Sequence, residues 1–440
     1  MRSLLILILT IIGQMTAFTQ LTVSVAGSLP ESVSNNAVCE GFSPAGSFLY
    51  SFGGIDSTKE YSGIHLRSFR FNVQTGVSEP IADLPDTLGK IACAASRIGN
   101  IIYISGGYHV FADESELSSN RMHRFDIAAN QFLSDGKNIP IATDDHVQVV
   151  WRDSLIYLIT GWSNVGNIPA VQIYNASKDE WMTGTSLPNA NDYKSFGASG
   201  MIVGDTIYYF GGATSAPGFG IQNKLRRGII IPDDPTKIQW SLMTPDPNIN
   251  GYRMASTVVE GDLHWVGGSN QTYNYDGIAY NGSGGVPPSN RDLTFNLAQL
   301  NFDQQFLSEI PMDLRGISEV DPFVKYLAGG MLSDQHVTNK VFKLEWQQST
   351  SAKDLIEIPN TNFNVYPNPF PAKFIIRQTT TPTELITISV YDLTGRLMLQ
   401  KQENGKNIEV QCDSIPDGNY LLKISNGTKV VFQKMLSKID

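Results

Sequence analysis

The chain of 440 residues carries 32 lysines and arginines against 42 aspartates and glutamates, a formal charge of −10, and is 41% hydrophobic with 39 glycines and 22 prolines. That length and apolar share allow two globular domains, and the acidity argues against nucleic acid or an anionic membrane as partner, because phosphate binding needs a basic footprint. The acidic excess sits in residues 20–347, with 21 basic against 33 acidic side chains, while residues 363–440 carry nine against seven.

Residues 1–19 read as a secretory signal peptide. Arg2 precedes the apolar run Leu4–Ile12, and Ala17-Phe18-Thr19 supplies a cleavage site before Gln20. The run is too short to span a bilayer, so no transmembrane anchor is expected, and no cysteine follows closely enough to carry a lipid.

Residues 20–347 repeat. A Gly-Gly doublet closes an apolar run at Gly53-Gly54, Gly106-Gly107, Gly211-Gly212, Gly267-Gly268 and Gly329-Gly330, with a degenerate copy at Thr160-Gly161; the steps are 53, 54, 51, 56 and 62 residues. A period near fifty predicts a propeller or solenoid. Three positions before each doublet stands Tyr50, Tyr103, Tyr157, Tyr208, His264 or Tyr326. The runs around them, such as Leu155-Ile156-Tyr157-Leu158-Ile159, are too short for helices and predict strands buried on both faces. An aliphatic-Pro pair precedes every doublet, at Leu29-Pro30, Leu84-Pro85, Ile139-Pro140, Leu187-Pro188 and Ile310-Pro311, with Thr244-Pro245 as the weaker member. Proline cannot donate to a ladder and suits the exit of an outer strand. Each unit therefore reads as four strands.

With its doublets, preceding tyrosines and downstream aromatics such as Trp240, this region resembles the Kelch family of β-propellers. The resemblance implies an all-β, six-bladed ring; the copies depart from the family pattern at Thr160, at His264, and in the sixth unit, which lacks a Gly-Asp or Gly-Asn turn. The first aliphatic-Pro pair stands before any complete unit, and the last unit, Met312 to Trp346, has room for three strands. Leu21–Ser28 is therefore expected to supply its outer strand and close the ring, since an open propeller leaves unpaired edges.

Residues 348–362 are polar and read as a linker. The tail, 363–440, has short alternating runs (Phe374–Arg377, Leu385–Tyr391, Leu397–Gln400, Tyr420–Ser425 and Lys429–Gln433) with turn signals at Thr394-Gly395, Asp417-Gly418 and Asn426-Gly427, which predicts a small, immunoglobulin-like β-sandwich. Tyr366-Pro367-Asn368-Pro369-Phe370, Val390–Arg396, Pro416–Tyr420 and the closing Val431–Lys438 resemble the type A sorting domain of the type IX secretion system. That resemblance implies a Gram-negative bacterium whose secretion machinery recognises the tail and either releases the protein or holds it on the outer surface.

Cys39 and Cys93 occupy similar places in the first two units, so either a disulfide or two buried thiols is expected, with Cys412 left over. The six histidines show no metal or nucleophile spacing, and no cofactor is expected. Fourteen residues before the doublets stand Cys39, Ala92, His146, Gly197, Arg253 and Arg315. Equivalent positions of a closed ring share one height around the channel, so His146, Arg253 and Arg315 either converge on an anionic group or bond the channel backbone. Asp144, Asp145, Asp192, Tyr193, Lys194 and Tyr252, with Tyr273, Tyr275 and Asp276 of the insertion 270–290, are expected on the same rim.

Three functions follow. The first is a binding module for a glycan or a protein. The second, by likeness to Kelch-like sialic-acid mutarotases, is a sugar mutarotase or epimerase with His146 or Asp145 as acid or base and Arg315 on a carboxylate. The third is a structural or adhesive surface protein without a pocket.

Overall fold

The computed structural model describes residues 20–243, 248–347, 363–379, 385–392, 396–426 and 429–439. The leader, the linker, Thr244-Pro245, Thr394-Gly395 and Gly427 lie outside them. The chain divides into two units, Gln20–Gln347 and the tail. Apart from two single turns of 3-10 helix at Tyr61–Gly63 and Ser333–Gln335, the regular structure of the described residues is β.

The first unit contains six sheets in chain order, antiparallel apart from one two-residue strand. Sheet 1 is Ala37–Ser43, Gly46–Ile55, Ile64–Asn72 and Ser78–Ile81; sheet 2 is Ile91–Ile98, Ile101–Val110, Met122–Asp126 and Gln131–Phe132, with Glu116–Ser118 beside its second strand. Sheet 3 is Val147–Trp151, Leu155–Ile159, Val171–Asn175 and Glu180–Thr183; sheet 4 is Ser199–Val203, Thr206–Phe210, Leu225–Ile231 and Asp234–Met243; sheet 5 is Ala255–Val259, Asp262–Val266, Arg291–Asn296 and Asn301–Phe306. Sheet 6 joins Val324–Ala328 and Lys340–Trp346 to Leu21–Ser28. Sequence and position agree along each sheet. The second strand of sheet 3 is buried at every residue, while the outer strand of sheet 5 is mostly open to solvent, as uniform apolarity and mixed polarity respectively require.

Leu21–Ser28 lies where the count of aliphatic-Pro pairs placed it. It pairs antiparallel with the last strand from Leu21↔Trp346 to Ser28↔Lys340, with a bulge between Val25 and Gly27. On the other side, Arg315–Gly316 runs parallel to Ala37–Val38 of sheet 1 and is tied to sheet 6 by the bridge Ser318↔Tyr326. Each neighbouring pair of sheets shares an apolar cluster. Phe52 and Phe125 meet between sheets 1 and 2, Tyr103 and Ile156 between 2 and 3, Tyr157 and Tyr209 between 3 and 4. Phe210 and Trp265 meet between sheets 4 and 5, Val266 and Phe342 between 5 and 6, and Ala328 and Leu49 between 6 and 1. The packing thus returns to its start.

The doublets fasten one sheet to the next. Their first residues hold φ between 53° and 74°, a region glycine enters freely and other L-residues only with strain. Their second residues donate backbone N–H groups to carbonyls of the following sheet: Gly54 to Lys90, Gly107 to Thr143, Gly161 to Ser195, Gly212 to Gly251, Gly268 to Pro311 and Gly330 to Val33, at 2.7–3.2 Å. A Cβ on the first glycine of any doublet would stand 2.1–2.9 Å from the same carbonyl oxygen. Thr160 tolerates its side chain because the hydroxyl donates to Ser195 O at 3.0 Å and accepts from Ser195 N at 2.9 Å. The degenerate copy replaces room with hydrogen bonds.

The tail is two sheets on one core. Phe363–Tyr366, Lys373–Gln378 and Asn407–Gln411 form one; Leu397–Glu403, Ile386–Asp392, Gly418–Asn426 and Lys429–Lys438 form the other. Phe374, Ile376 and Val410 from the first pack with Ile388, Leu422 and Leu436 from the second.

Deleting residues 20–28 removes a whole ladder; at about 1 kcal/mol net per backbone bond the loss is about 5 kcal/mol, and Tm by calorimetry is expected to fall by roughly 10 °C. Gly106→Ala meets Thr143 O at 2.1 Å, whereas Gly99→Ala, also at positive φ, meets nothing within 4 Å. Urea unfolding is expected to show a loss of about 1 kcal/mol for Gly99→Ala and about 3 kcal/mol for Gly106→Ala, where overpacking adds to strain.

Candidate functional site

One residue ahead of or close to each first strand adopts positive φ: Asn35, Ala92, Asp145, Gly197, Arg253 and Asp313, at 45–65°. Their backbones form a closed cycle of hydrogen bonds. Ala92 N donates to Asn35 O, Asp145 N to Ala92 O, Gly197 N to Asp145 O, Arg253 N to Gly197 O, Leu314 N to Arg253 O and Asn35 N to Asp313 O, at 2.8–3.3 Å. This is where the first strands converge. The side chains of the cycle therefore meet across a few ångströms.

Four of them form a plug. Arg253 donates to Asp145 Oδ2 from Nη2 at 2.6 Å and to Asp145 Oδ1 from Nε at 3.2 Å, and from Nη1 to Asp313 Oδ1 at 2.9 Å. Asp313 also accepts from Asn35 Nδ2 at 3.2 Å and from Ser34 Oγ at 2.7 Å. Arg253 is 1% exposed and the two carboxylates 2% and 0%. A buried guanidinium needs paired, hydrogen-bonded partners of this kind.

The fixed count of fourteen residues finds Ala92, Gly197 and Arg253, but it lands on Cys39, His146 and Arg315 where the cycle uses Asn35, Asp145 and Asp313. The hairpin between cycle and doublet is longer in those three sheets. His146 and Arg315 consequently lie at the first strands, below the plug. Arg315 donates from Nη2 to His146 O at 2.9 Å and stands 3.5 Å from Asp145 Oδ1 through Nη1. His146 Nε2 meets Ser105 Oγ at 2.9 Å. Burial, reinforced by Arg315, pushes the His146 imidazole down to about 3, so the ring is neutral at physiological pH. The two line a narrow channel of about 70 Å³ with Gln148 and Ser256. It widens to a cavity of about 340 Å³ bordered by Glu40, Arg97 and Glu319.

On the opposite side of the plug is a pocket of about 180 Å³. It is lined by Tyr108, Trp162, Phe196, Phe219 and Tyr280 above Asp144, Asp145 and Arg253, with Glu116 and Asn274 completing it. Asp144 and Phe196 each precede a residue of the backbone cycle, and bridges Asp144↔Trp162 and Phe196↔Ala213 hold them to the segments after the doublets. Trp162 and Phe196 meet edge to face at 5.5 Å, Trp162 and Phe219 at 5.7 Å, and Phe219 and Tyr280 at 4.6 Å. Asp144 is 3% exposed and its Oδ2 accepts from Ser118 Oγ at 2.6 Å. Burial, and then the neighbouring Asp145 charge, raise its carboxyl well above the ordinary aspartate range. A buried acid so perturbed, lining a cleft, is a candidate functional group.

Of the residues expected on the rim, Tyr252 and Tyr273 are fully buried beneath the pocket, with the Arg253 guanidinium 5.1 Å and 5.5 Å from their ring centres. Tyr275 packs against the Tyr108 cluster, and the Asp276 carboxylate accepts from Ile278 N. Asp192, Tyr193 and Lys194 do not reach the pocket. Their carbonyls accept from Arg226, Tyr209 and Gln222, which anchors sheet 4. Cys39 and Cys93 are free and buried, so the disulfide is not formed; burial pushes the Cys93 thiol up to about 11 and that of Cys39 well above its ordinary value. Glu116, Trp162, Phe196, Phe219 and Tyr280 were not singled out by the sequence. Glu116, Trp162, Phe219 and Tyr280 share a place in the stretch after a doublet, whereas Phe196 stands just ahead of Gly197 in the backbone cycle.

The Asp144 carboxyl carries its proton in the folded chain at pH values where the unfolded chain has released it. Stability therefore falls as pH rises above the ordinary aspartate value of about 4. Asp144→Asn cannot ionise, and denaturant unfolding between pH 4 and pH 8 is expected to show a variant that matches the parent at the acid end and exceeds it increasingly toward pH 8.

Comparison with known proteins bears on both units. Residues 364–438 match the family model of a secretion system C-terminal sorting domain, and such a type IX tail implies export to the surface or the medium. The chain is similar to the solved structure of YjhT, with a TM-score of 0.58 at 14% identity over 74% of this chain and 100% of that one. At that identity the likeness concerns fold, which in YjhT is propeller-like. No curated protein sequence matches the chain. Among the described residues no helix is long and apolar enough to cross a membrane. The protein is thus an all-β chain with a propeller-like fold neighbour and a secretion-system sorting domain at its C-terminus.

Proposed function

We propose that residues 20–347 form a six-bladed Kelch-type propeller that works as a binding module for a glycan or a protein, exported through its immunoglobulin-like tail. The single observation that carries this reading is the pocket walled by Trp162, Phe196, Phe219 and Tyr280 over buried Asp144. Aromatic faces beside a few fixed polar groups are the common construction of a ligand site. The cycle of six backbone bonds and the six shared clusters support the blade count.

The rim suits a ligand larger than the pocket. Phe111, Leu117, Val165 and Ile278 expose 37%, 47%, 93% and 40% of their surfaces, each within five residues in the chain of Glu116, Trp162 or Asn274 of the pocket. Large exposed apolar side chains gathered near a pocket are the material of interaction surfaces. A mutarotase acting on a sugar acid would need a free guanidinium for the carboxylate. Arg253 is already bonded to Asp145 and Asp313, and Arg315, whose Nε has no partner among the described residues, lines the channel on the other side of the plug rather than the aromatic pocket, so that pocket presents no free guanidinium and its geometry favours binding over turnover.

A glycan array and a pull-down from the native surface, run with the full chain and with Trp162→Ala, test the reading. Bound ligand is expected to weaken about tenfold in the variant, equivalent to about 1.4 kcal/mol, with Tm held within a few degrees. Ligand retained at full strength by Trp162→Ala would place recognition elsewhere.

A further inference from the structure

We propose that the group seated in this pocket is an organic cation, an ammonium or quaternary ammonium carried by the ligand; the assignment rests on the binding reading above. The pocket's charge is one-sided. Glu116, Asp144 and Asp145 line it against a single base, Arg253, and that base is spent on Asp145 and on Asp313 beneath. Neither Asp144 nor Glu116 enters an ion pair among the described residues. An anionic ligand would meet unpaired acid and no available positive charge, whereas a cation seated beside the protonated Asp144 carboxyl favours its ionised form and pairs with it. An ammonium corrects the imbalance.

The walls favour the same class. Cations are attracted to the faces of Trp, Tyr and Phe within about 6 Å of the ring centre. Trp162, Phe219 and Tyr280 are only partly buried and share one aromatic cluster, so ring surface remains open beside the carboxylates. Acid and ring are also held to each other. Asp144 N donates to Trp162 O at 3.0 Å and Trp162 N to Asp144 O at 2.9 Å. Ser118, which donates to Asp144 Oδ2, is itself fixed by Asn164, whose Oδ1 accepts from Ser118 N at 2.9 Å and whose N donates to Ser118 Oγ at 3.1 Å. No other hydrogen bond to the Asp144 carboxylate occurs among the described residues, which leaves Oδ1 for a ligand. Aromatic surface and a preset carboxylate are the two elements an ammonium cage requires.

Choline and its neutral isostere 3,3-dimethylbutan-1-ol have the same shape and differ in charge, so paired calorimetric titrations of the full chain isolate the cation. Choline is expected to bind at least tenfold more tightly than the isostere. Trp162→Ala is expected to abolish the preference, and Asp144→Asn to reduce choline affinity at least fivefold. Glu116→Gln changes an exposed side chain and keeps the test open should a buried variant misfold; its expected loss is about threefold. Equal affinity for choline and the isostere overturns the assignment, as does a glycan or protein from the screen that binds through Trp162 and is not displaced by choline; both leave the binding face intact. Absence of binding by choline together with no hit in the screen overturns both readings.

Discussion

The structure depends on a circle of backbone hydrogen bonds. Six short segments, one for each sheet, bond head to tail and return to their start through Asn35 N and Asp313 O. No sheet can be removed or displaced without breaking two of these contacts and two of the doublet contacts outside them. The geometry demands positive φ at each member, and the residues there divide by how they meet that demand. Gly197 meets it freely, and Asn35, Asp145 and Asp313 belong to the types that tolerate it best. Ala92 and Arg253 do so under strain, and the latter is the residue held by two carboxylates. The ion cluster is thus the lock on the least comfortable member of the circle.

That arrangement separates the two ends of the unit. The plug of Arg253, Asp145, Asp313 and Asn35 divides the channel holding His146 and Arg315 from the pocket of Asp144 and the aromatics. Charges that look alike in the sequence therefore have different fates. Asp145 is neutralised, whereas Asp144, its chain neighbour, points to the other side of the backbone and has only a serine. Stability and recognition rest on adjacent residues with opposite surroundings.

The doublets were legible because the constraint behind them is one of residue type: positive φ together with a carbonyl within 2.1–2.9 Å of any Cβ leaves glycine as the ordinary solution. The circle was not legible, because its members share a conformation rather than a chemistry, and hairpins of unequal length defeat a fixed count from the doublet. Asp145 and Arg253, expected as ligand contacts, pair with each other at the floor of the pocket, a partnership no spacing in the sequence announces. The pocket was beyond reach for a different reason: Trp162, Phe219 and Tyr280 come from loops of unequal length in sheets 3, 4 and 5, and only closure brings them together. In the tail, Asn407–Gln411 alternates buried and exposed residues, with Ile408 and Val410 turned to the core, a period of two that the sequence carries although the expected strands did not include it.

The strand nearest the amino terminus has a consequence for the order of events in the cell. Thr22 bonds to Glu345, 323 positions away, and Gln347 N donates to Gln20 O at 3.0 Å. A chain emerging amino end first must therefore carry this strand unsatisfied until nearly all of the unit has been delivered, and contacts of such separation form late. The final bond falls at the last residue of the first unit. The export tag follows in the sequence only after the last stitch of the cargo has become possible.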